Sequence, residues 1–187
     1  MIEPRQTICV SRSFDHKITT VEEFCEQVTT FAGNAVTKLR AQRSNVREMV
    51  VFVMTNRFKE DLPQTNGGIC TVFPDGTADY RTIIASAAST ARELFRTGFG
   101  YKKAGVVFTK IEQEGEYVGS LFADEKADVR NARLSESIDM INKVFGKGAV
   151  LFGIQGGWPV SHSPAASVTS LYHPVEGPPD SVHQIEE

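Results

Sequence analysis

The sequence lacks several features that would each place it in a particular class of protein. No apolar run approaches the roughly 18 residues that cross a bilayer, and the N-terminus has no charged leader followed by an apolar block. We therefore expect a cytoplasmic protein with no membrane partner. The three cysteines, Cys9, Cys25 and Cys70, show no Cys-x-x-Cys spacing and no histidine at a zinc spacing. Because each lies in an apolar pattern, buried thiols are expected rather than disulfides or metal ligands.

The sequence also lacks a cluster of residues that could carry out catalysis. Its adjacent acidic pairs fit helix caps, turns, a linker and the chain end better than a two-metal site. The glycines of 153–157 are not followed by the Lys-Ser or Lys-Thr of a nucleotide-binding loop. A thiol enzyme built on Cys25 would need a base and an orienting group beside it, whereas the histidines are scattered. We expect no metal ion, no cofactor and no enzymatic activity of this chain on its own.

Charge is unevenly divided along the chain, whose formal net charge is −3. Residues 1–111 contain 15 Lys and Arg against 11 Asp and Glu, a net charge of +4. Residues 112–187 contain 5 against 12, a net charge of −7. An anionic partner is therefore expected for the front half alone.

Hydrophobic periodicity predicts an α+β domain over residues 1–112, with the order β-α-β-β-α-β. Four runs rich in apolar and β-branched residues predict strands, and two longer stretches with apolar residues at i, i+3 and i+4 predict helices. Two helices on one face of a four-stranded sheet leave its other face exposed or available to a ligand. The predicted strands are 6–14, 49–54, 69–73 and 103–111.

Capping residues indicate where the two helices begin. Thr20 and Glu23 have the spacing of a capping box, in which the hydroxyl and the carboxylate each satisfy a backbone amide. Asp79 or Thr77 can cap the second helix, which follows a turn predicted at 74–76.

Beyond this domain the periodic pattern weakens. Residues 113–129 are acidic and fit a linker, and residues 130–158 contain a short helix and a strand-like stretch at 149–152, which together predict a small α/β extension. Residues 159–187 are rich in proline and serine, and we expect them to be disordered.

Two short motifs on predicted strands are similar to those of a known family. The chain resembles the little-finger domain of Y-family translesion DNA polymerases of the UmuC type in Ser11-Arg12-Ser13-Phe14, in the two helices and in Tyr101-Lys102-Lys103-Ala104-Gly105-Val106. The similarity continues to Trp158, through a region that resembles the C-terminal extension of UmuC proteins. Because the sequence begins just before this domain and matches no palm, we expect a C-terminal piece without palm, fingers or thumb.

The resemblance implies a sequence-independent module that binds damaged DNA in translesion synthesis, DNA repair and SOS mutagenesis, and that is non-catalytic alone. In the family, the little finger holds the phosphates of the primer-template duplex while other domains perform the chemistry. Phosphate contacts of this kind position a duplex without reading its sequence. The resemblance makes Ser11, Arg12, Ser13, Lys102 and Lys103 the DNA-binding candidates, and position alone adds Arg57 and Lys59.

Other residues have simpler interpretations. Basic residues at strand ends often serve only to keep a protein soluble, and this alternative stays open for both motifs. Lys38, Arg40 and Arg43 are expected to form a solvated helix end that suits the helix dipole. Phe14 is expected in the core rather than in a base-stacking platform.

The resemblance also implies a second class of function, docking on other proteins. Family members carry a clamp-binding peptide after the little finger, usually a Gln, a spacer and a Leu-Phe pair. Leu121 and Phe122 occupy that place here, but Val118 stands where the Gln would be. The alternatives to DNA binding are therefore a module that docks on the sliding clamp or on other components of DNA polymerase V, or an inactive remnant of a split gene.

Overall fold

The computed structural model describes residues 6–55, 64–113, 125–146 and 148–155, with the side chains of 125–128 excepted. These residues form a four-stranded antiparallel sheet with helices, which confirms the predicted α+β fold and the order β-α-β-β-α-β. The strands lie in the spatial order β1-β4-β2-β3. The elements are β1 (Ile8–Ile18), α1 (Val21–Ala41), β2 (Ser44–Thr55), β3 (Asn66–Thr77), α2 (Tyr80–Leu94), β4 (Tyr101–Gln113), α3 (Glu125–Phe145) and a single 3-10 turn (Gly153–Gln155).

Alternation along the central strand β2 defines two different faces of the sheet. Met49, Val51 and Val53 are buried, whereas the intervening Val50 and Phe52 are only half-buried. Because successive side chains of a strand point to opposite faces, the helices cover one face only. We call the other face, which no described element covers, the open face.

The core lies between the helix-covered face and the apolar stripes of α1 and α2. Phe24 of α1 has no exposed surface, and its ring centroid lies 5.2 Å from that of Tyr101 on β4 and 5.8 Å from that of Phe95. Phe14 is 6% exposed and stacks on Phe31, which confirms its predicted place in the core. Large aromatic side chains in such contacts contribute strongly to the packing of a core.

One of the two helix starts differs from its prediction. Asp79 caps α2, because its carboxylate accepts the Thr82 amide at 2.8 Å. Thr20 is the N-cap residue of α1, but its side chain accepts no cap hydrogen bond, so the predicted capping box is wrong. The Glu23 carboxylate lies 2.6 Å from His16 Nε2 instead, because the end of β1 passes close to the first turn of α1.

The turn predicted at 74–76 is also wrong, because β3 continues through it to Thr77. Val72 pairs with Glu48 and Thr77 pairs with Val46, so β3 has extra residues opposite β2. Gly76 adopts a φ of +62°, a conformation that glycine reaches without strain. Pro74 is tolerated because β3 is an edge strand, where a missing N–H costs no ladder bond. The turn residues therefore make a bulge instead of ending the strand.

The C-terminal extension differs from its prediction in two ways. The helix α3 begins at Glu125, inside the segment expected to be a linker. Residues 149–152 form no strand. Two of their backbone amides donate to nearby side chains instead, Ala149 N to Asn142 Oδ1 and Phe152 N to Gln155 Oε1. The predicted tail, 159–187, lies outside the described residues.

A polar network holds the extension on the outer side of α1 and α2. Asp139 of α3 accepts Arg40 Nε at 2.6 Å and the Tyr80 hydroxyl at 3.0 Å. Arg40 also donates to the Ala78 carbonyl, so the prediction that it belongs to a solvated helix end is wrong. At the 3-10 turn, Gln155 Nε2 donates to the Thr29 carbonyl. The extension thus adds a third layer behind the helices.

Candidate nucleic-acid interface

Pairing between β1 and β4 brings together the two motifs that the sequence separates by about ninety residues. Ser11 pairs with Gly105 and Ser13 pairs with Lys103 in an antiparallel ladder. Directly opposed residues of such a pair project on the same face. The side chains of Ser11, Ser13 and Lys103 therefore share the open face, on the edge strand and the strand beside it.

Gly105 gives this part of the open face its shape. A Cβ at position 105 would lie 2.5 Å from Ser11 Cβ and 2.6 Å from two ring atoms of Phe52. The Phe52 ring therefore lies against the β4 backbone, in space that only a glycine leaves free. The sequence contained a signal for this contact, since an isolated glycine within a strand indicates a bulge or a close approach.

Arg12 differs in orientation from the two serines beside it. It pairs with Ala104, which is fully buried under the helices, so its Cα–Cβ bond is directed toward the helix-covered side. Arg12 lies on the edge strand β1 and is exposed, and it forms no ion pair or side-chain hydrogen bond with the described residues. Its guanidinium is therefore available at the rim of the sheet.

The two lysines of the second motif have different surroundings. Lys103 is half-buried, and within the described part of the chain it forms no ion pair. Lys102 is an extra residue in β4, because Lys103 pairs with Met54 while Tyr101 pairs with the next residue of β2, Thr55. The Lys102 ammonium donates to the Phe14 carbonyl and lies 3.4 Å from the Asp15 carbonyl. The structure therefore places Lys102 on the backbone of β1.

Four further site predictions lie outside the described residues. Arg57 and Lys59 belong to the segment after β2, and Leu121 and Phe122 belong to the segment after β4.

Acidic groups occupy the other end of the open face. Glu48 accepts Thr109 Oγ1 at 3.2 Å and forms an ion pair with Lys110. The hydrogen bond from Lys110 lowers the pKa of the Glu48 carboxyl below its ordinary value of 4.5, and the same bond raises the pKa of Lys110. Lys110 is therefore already paired, whereas Lys103, on the β1 side of the open face, forms no ion pair with the described residues.

Two of the three cysteines contradict the expectation of buried thiols. Cys25 is buried in α1, but Cys9 and Cys70 are exposed on β1 and β3. Cys9 pairs with Val107 and Cys70 pairs with Val50, so both lie on the open face. Successive side chains of a strand point to opposite faces, so the apolar neighbours of these two cysteines face the core while the thiols face outward. Desolvation raises the pKa of Cys70, and Glu48 raises it further, which keeps this thiol protonated near neutral pH.

Other classes of site are not found among the described residues. No three His, Cys, Asp or Glu side chains in the described ranges lie close enough together to hold a metal ion. None of the described helices is long and apolar enough to span a membrane.

The fold and the polar edge of its open face define an α+β module, and comparison with protein families identifies which one. Residues 5–121 match the model described as the impB/mucB/samB family C-terminal domain. The chain belongs to this family.

Individual relatives agree with this assignment. The chain is 32% identical over 152 residues to protein UmuC of Salmonella typhimurium, and also 32% identical over 152 residues to protein MucB of Escherichia coli. Each alignment covers 81% of this chain and 36% of the relative. The chain therefore spans about a third of the length of the curated relatives that it matches.

Two solved structures were also found to be similar. One is an insertion ternary complex of Dbh DNA polymerase, with 14% identity, a TM-score of 0.44, and coverage of 58% of this chain and 29% of that chain. The other is a complex of the beta-clamp processivity factor and the little finger domain of PolIV, with 20% identity, a TM-score of 0.38, and coverage of 63% of this chain and 99% of that chain.

Proposed function

We propose that this chain is a non-catalytic module that binds DNA through its phosphates, independently of sequence, as part of a UmuC-type translesion polymerase in DNA repair and the SOS response. The observation that carries the proposal is the register of β1 on β4, which gathers Ser11, Ser13 and Lys103 on one uncovered edge of the sheet. Hydroxyl and ammonium groups of this kind donate to phosphate oxygens.

Arg12 extends the proposed surface around the edge of β1. It is exposed, and an Arg guanidinium can donate two parallel hydrogen bonds to one phosphate. A phosphate backbone that follows β1 would meet the two serines and Lys103 from the open face and Arg12 from the rim. Arg57 and Lys59 are proposed as further contacts on the basis of their position in the sequence.

The charge distribution supports a weak and salt-sensitive complex. The front half has a net charge of +4 and the rear half a net charge of −7. A few phosphate contacts release a few counterions, so the logarithm of the affinity falls with the logarithm of salt by about 0.9 for each contact. We expect binding at low salt that is lost toward physiological salt.

A salt titration of the full chain with primer-template DNA tests the proposal. Fluorescence anisotropy would give the dissociation constant between about 20 and 200 mM salt. Over this range the affinity that phosphate contacts supply falls strongly as salt rises. We call the slope of the logarithm of the affinity against the logarithm of the salt concentration the salt slope. The variant Arg12→Ala with Lys103→Ala should make this slope less steep by about 1.8, since two contacts are lost.

A charge-matched control separates local contact from net charge. Arg92→Ala with Arg133→Ala removes two exposed arginines from α2 and α3, away from the open face, and should leave the slope unchanged. Wild-type affinity that does not fall with salt, or an equal loss in both double variants, would contradict the proposal.

We retain docking on the sliding clamp or on other polymerase components as a second candidate function. It is supported by Leu121 and Phe122, an apolar pair in the acidic segment of the sequence that follows β4. Apolar side chains that fill a pocket on a partner often contribute most of the binding energy.

Clamp binding can be tested separately from DNA binding. A pull-down of the full chain with a purified sliding clamp should be reduced by Leu121→Ala with Phe122→Ala and should not change with Arg12→Ala. Equal recovery of the clamp by the wild type and the Leu-Phe variant would eliminate this site.

A further inference from the structure

The register between β1 and β4 breaks at one place beside the proposed DNA-binding surface. Ser13 pairs with Lys103 and Ile18 pairs with Tyr101, so β1 advances five residues while β4 moves back by two. Residues 14–17 are therefore not paired with β4, and we call them the β1 bulge. The backbone groups in such a bulge lose their ladder partners and need others.

Lys102 supplies partners for two of these backbone groups. Its ammonium donates to the Phe14 carbonyl and lies 3.4 Å from the Asp15 carbonyl. Lys102 is itself the extra residue of β4, so the irregularities of the two strands lie opposite each other. The contact with the Phe14 carbonyl is part-buried, and a charged donor makes a stronger hydrogen bond than a neutral one, which favours keeping the ammonium at this place.

Other contacts hold the β1 bulge against α1 and against the segment that precedes β4. The Phe14 ring stacks on Phe31 of α1 at a centroid distance of 6.4 Å, and His16 Nε2 lies 2.6 Å from the Glu23 carboxylate. The aliphatic part of Lys17 lies against Gly100, where a Cβ would come within 2.8 Å of Lys17 Cδ. The bulge is therefore held on both sides, and Lys102 is its contact with β4.

We propose that Lys102 is a positioning residue of the DNA-binding surface: its ammonium fixes the β1 bulge and, through it, the adjoining Ser13, while Lys103 supplies the cation that meets the phosphate. The claim that this surface binds DNA rests on the proposed function. The claim that Lys102 fixes the β1 bulge rests only on the contacts of Lys102. The two adjacent lysines thus have equal charge and different roles.

Two matched variants of the full chain test the inference. Lys102→Met and Lys103→Met each remove one charge and keep an unbranched side chain of similar length. Backbone chemical shifts of residues 14–17, the melting temperature, and the salt dependence of binding to primer-template DNA are measured for both. Lys102→Arg is included because it retains donors and should keep the shifts of the bulge close to those of the wild type.

We expect opposite patterns from the two methionine variants. Lys102→Met should shift the signals of residues 14–17, lower the melting temperature by about 3 to 6 °C, and weaken DNA binding about fivefold with an unchanged salt slope. Lys103→Met should leave the bulge signals and the melting temperature unchanged and flatten the salt slope by about 0.9.

The opposite outcome would overturn the inference. If Lys102→Met flattens the salt slope as Lys103→Met does, and leaves the bulge signals and melting temperature unchanged, Lys102 contacts DNA directly. If the wild type does not bind DNA, the proposed function fails, and the bulge signals of Lys102→Met and Lys102→Arg still decide the structural role. Unchanged signals in Lys102→Met refute that role as well.

Discussion

At the scale of single residues, Gly105 shows how one missing side chain shapes a surface. Its neighbours across the sheet are Ser11 on β1 and Phe52 on β2, and the Phe52 ring occupies the space where a Cβ would be. The Phe52 ring therefore lies beside Ser11 on the open face, where a phosphate backbone is proposed to lie. Glycine in the middle of a strand costs conformational entropy, so its presence here indicates a packing requirement.

We predict that Gly105→Ala destabilises the domain. The added Cβ would clash with Ser11 Cβ and the Phe52 ring, and overpacking of this kind costs about 1 to 3 kcal/mol. Urea unfolding followed by circular dichroism would measure the change. Gly153→Ala is the matched control, because among the described residues no atom beyond its chain neighbours lies within 4 Å of a Cβ at that position, and it should be nearly neutral. Equal stability of the two variants would mean that Phe52 is free to move away.

At the scale of secondary-structure elements, partly buried polar contacts join α3 to the domain. Its apolar stripe contributes Ile138 to the core, but Ile141 and Phe145 on the same stripe are exposed. Apolar burial along α3 is therefore small. The ion pair of Asp139 with Arg40 and the hydrogen bond from Tyr80 supply specific contacts in its place. Such contacts are most valuable where removing one partner leaves a shielded donor without an acceptor.

We predict that Asp139→Ala loosens α3. Arg40 and Tyr80 would both lose an acceptor, and the unfolding free energy should fall by about 1 to 3 kcal/mol. Limited proteolysis should show faster cleavage within α3, and urea unfolding would give the free energy. The control, Glu136→Ala, removes an exposed carboxylate of the same helix and should change neither measurement. Cleavage at the wild-type rate in Asp139→Ala would show that apolar contacts alone hold α3.

At the scale of the whole molecule, the chain forms three layers in the order sheet, helices and extension. The network of Tyr80 joins the helical layer to the extension, since its hydroxyl donates to Asp139 and lies 3.0 Å from Thr37 Oγ1. Burial is the main reason that the pKa of Tyr80 is raised from 10.0 to about 12, and the charge of Asp139 adds to the effect. Ionisation of the Tyr80 hydroxyl would therefore weaken the contact between the helical layer and the extension.

We predict a loss of stability in alkaline solution that depends on Tyr80. Because the folded state holds the phenolic proton more tightly than the unfolded state, the stabilisation is complete below pH 10 and is lost as the pH rises toward 12. A difference of two pKa units corresponds to about 2 to 3 kcal/mol. Unfolding free energies measured between pH 9 and about pH 12 should fall less steeply in Tyr80→Phe than in the wild type. Parallel curves would show that Tyr80 ionises normally in the folded protein.

Local sequence signals were sufficient for the elements that depend on local contacts. The Thr20–Glu23 spacing located the start of α1 correctly although its capping hydrogen bonds are not formed, and the Asp79 cap predicted the start of α2, because both helix starts depend on neighbours within one turn. The turn predicted at 74–76 was wrong, because pairing of β3 with β2 continues past these residues, which form a bulge within the strand. The third helix was predicted too short because its N-terminal part lacks a strong apolar stripe.

The sequence by itself determined the α+β pattern, the uneven charge and the two polar motifs. Only the tertiary structure decided that Ser13 faces Lys103 across β1 and β4, that Arg12 points to the other side, and that Lys102 bonds to the β1 backbone. The physical reason is that register is a property of two strands far apart in sequence. Alternation within a strand indicates which side chains share a face, but a shift of two residues keeps those faces and changes every partner, so no pattern within one strand fixes which residues lie opposite each other.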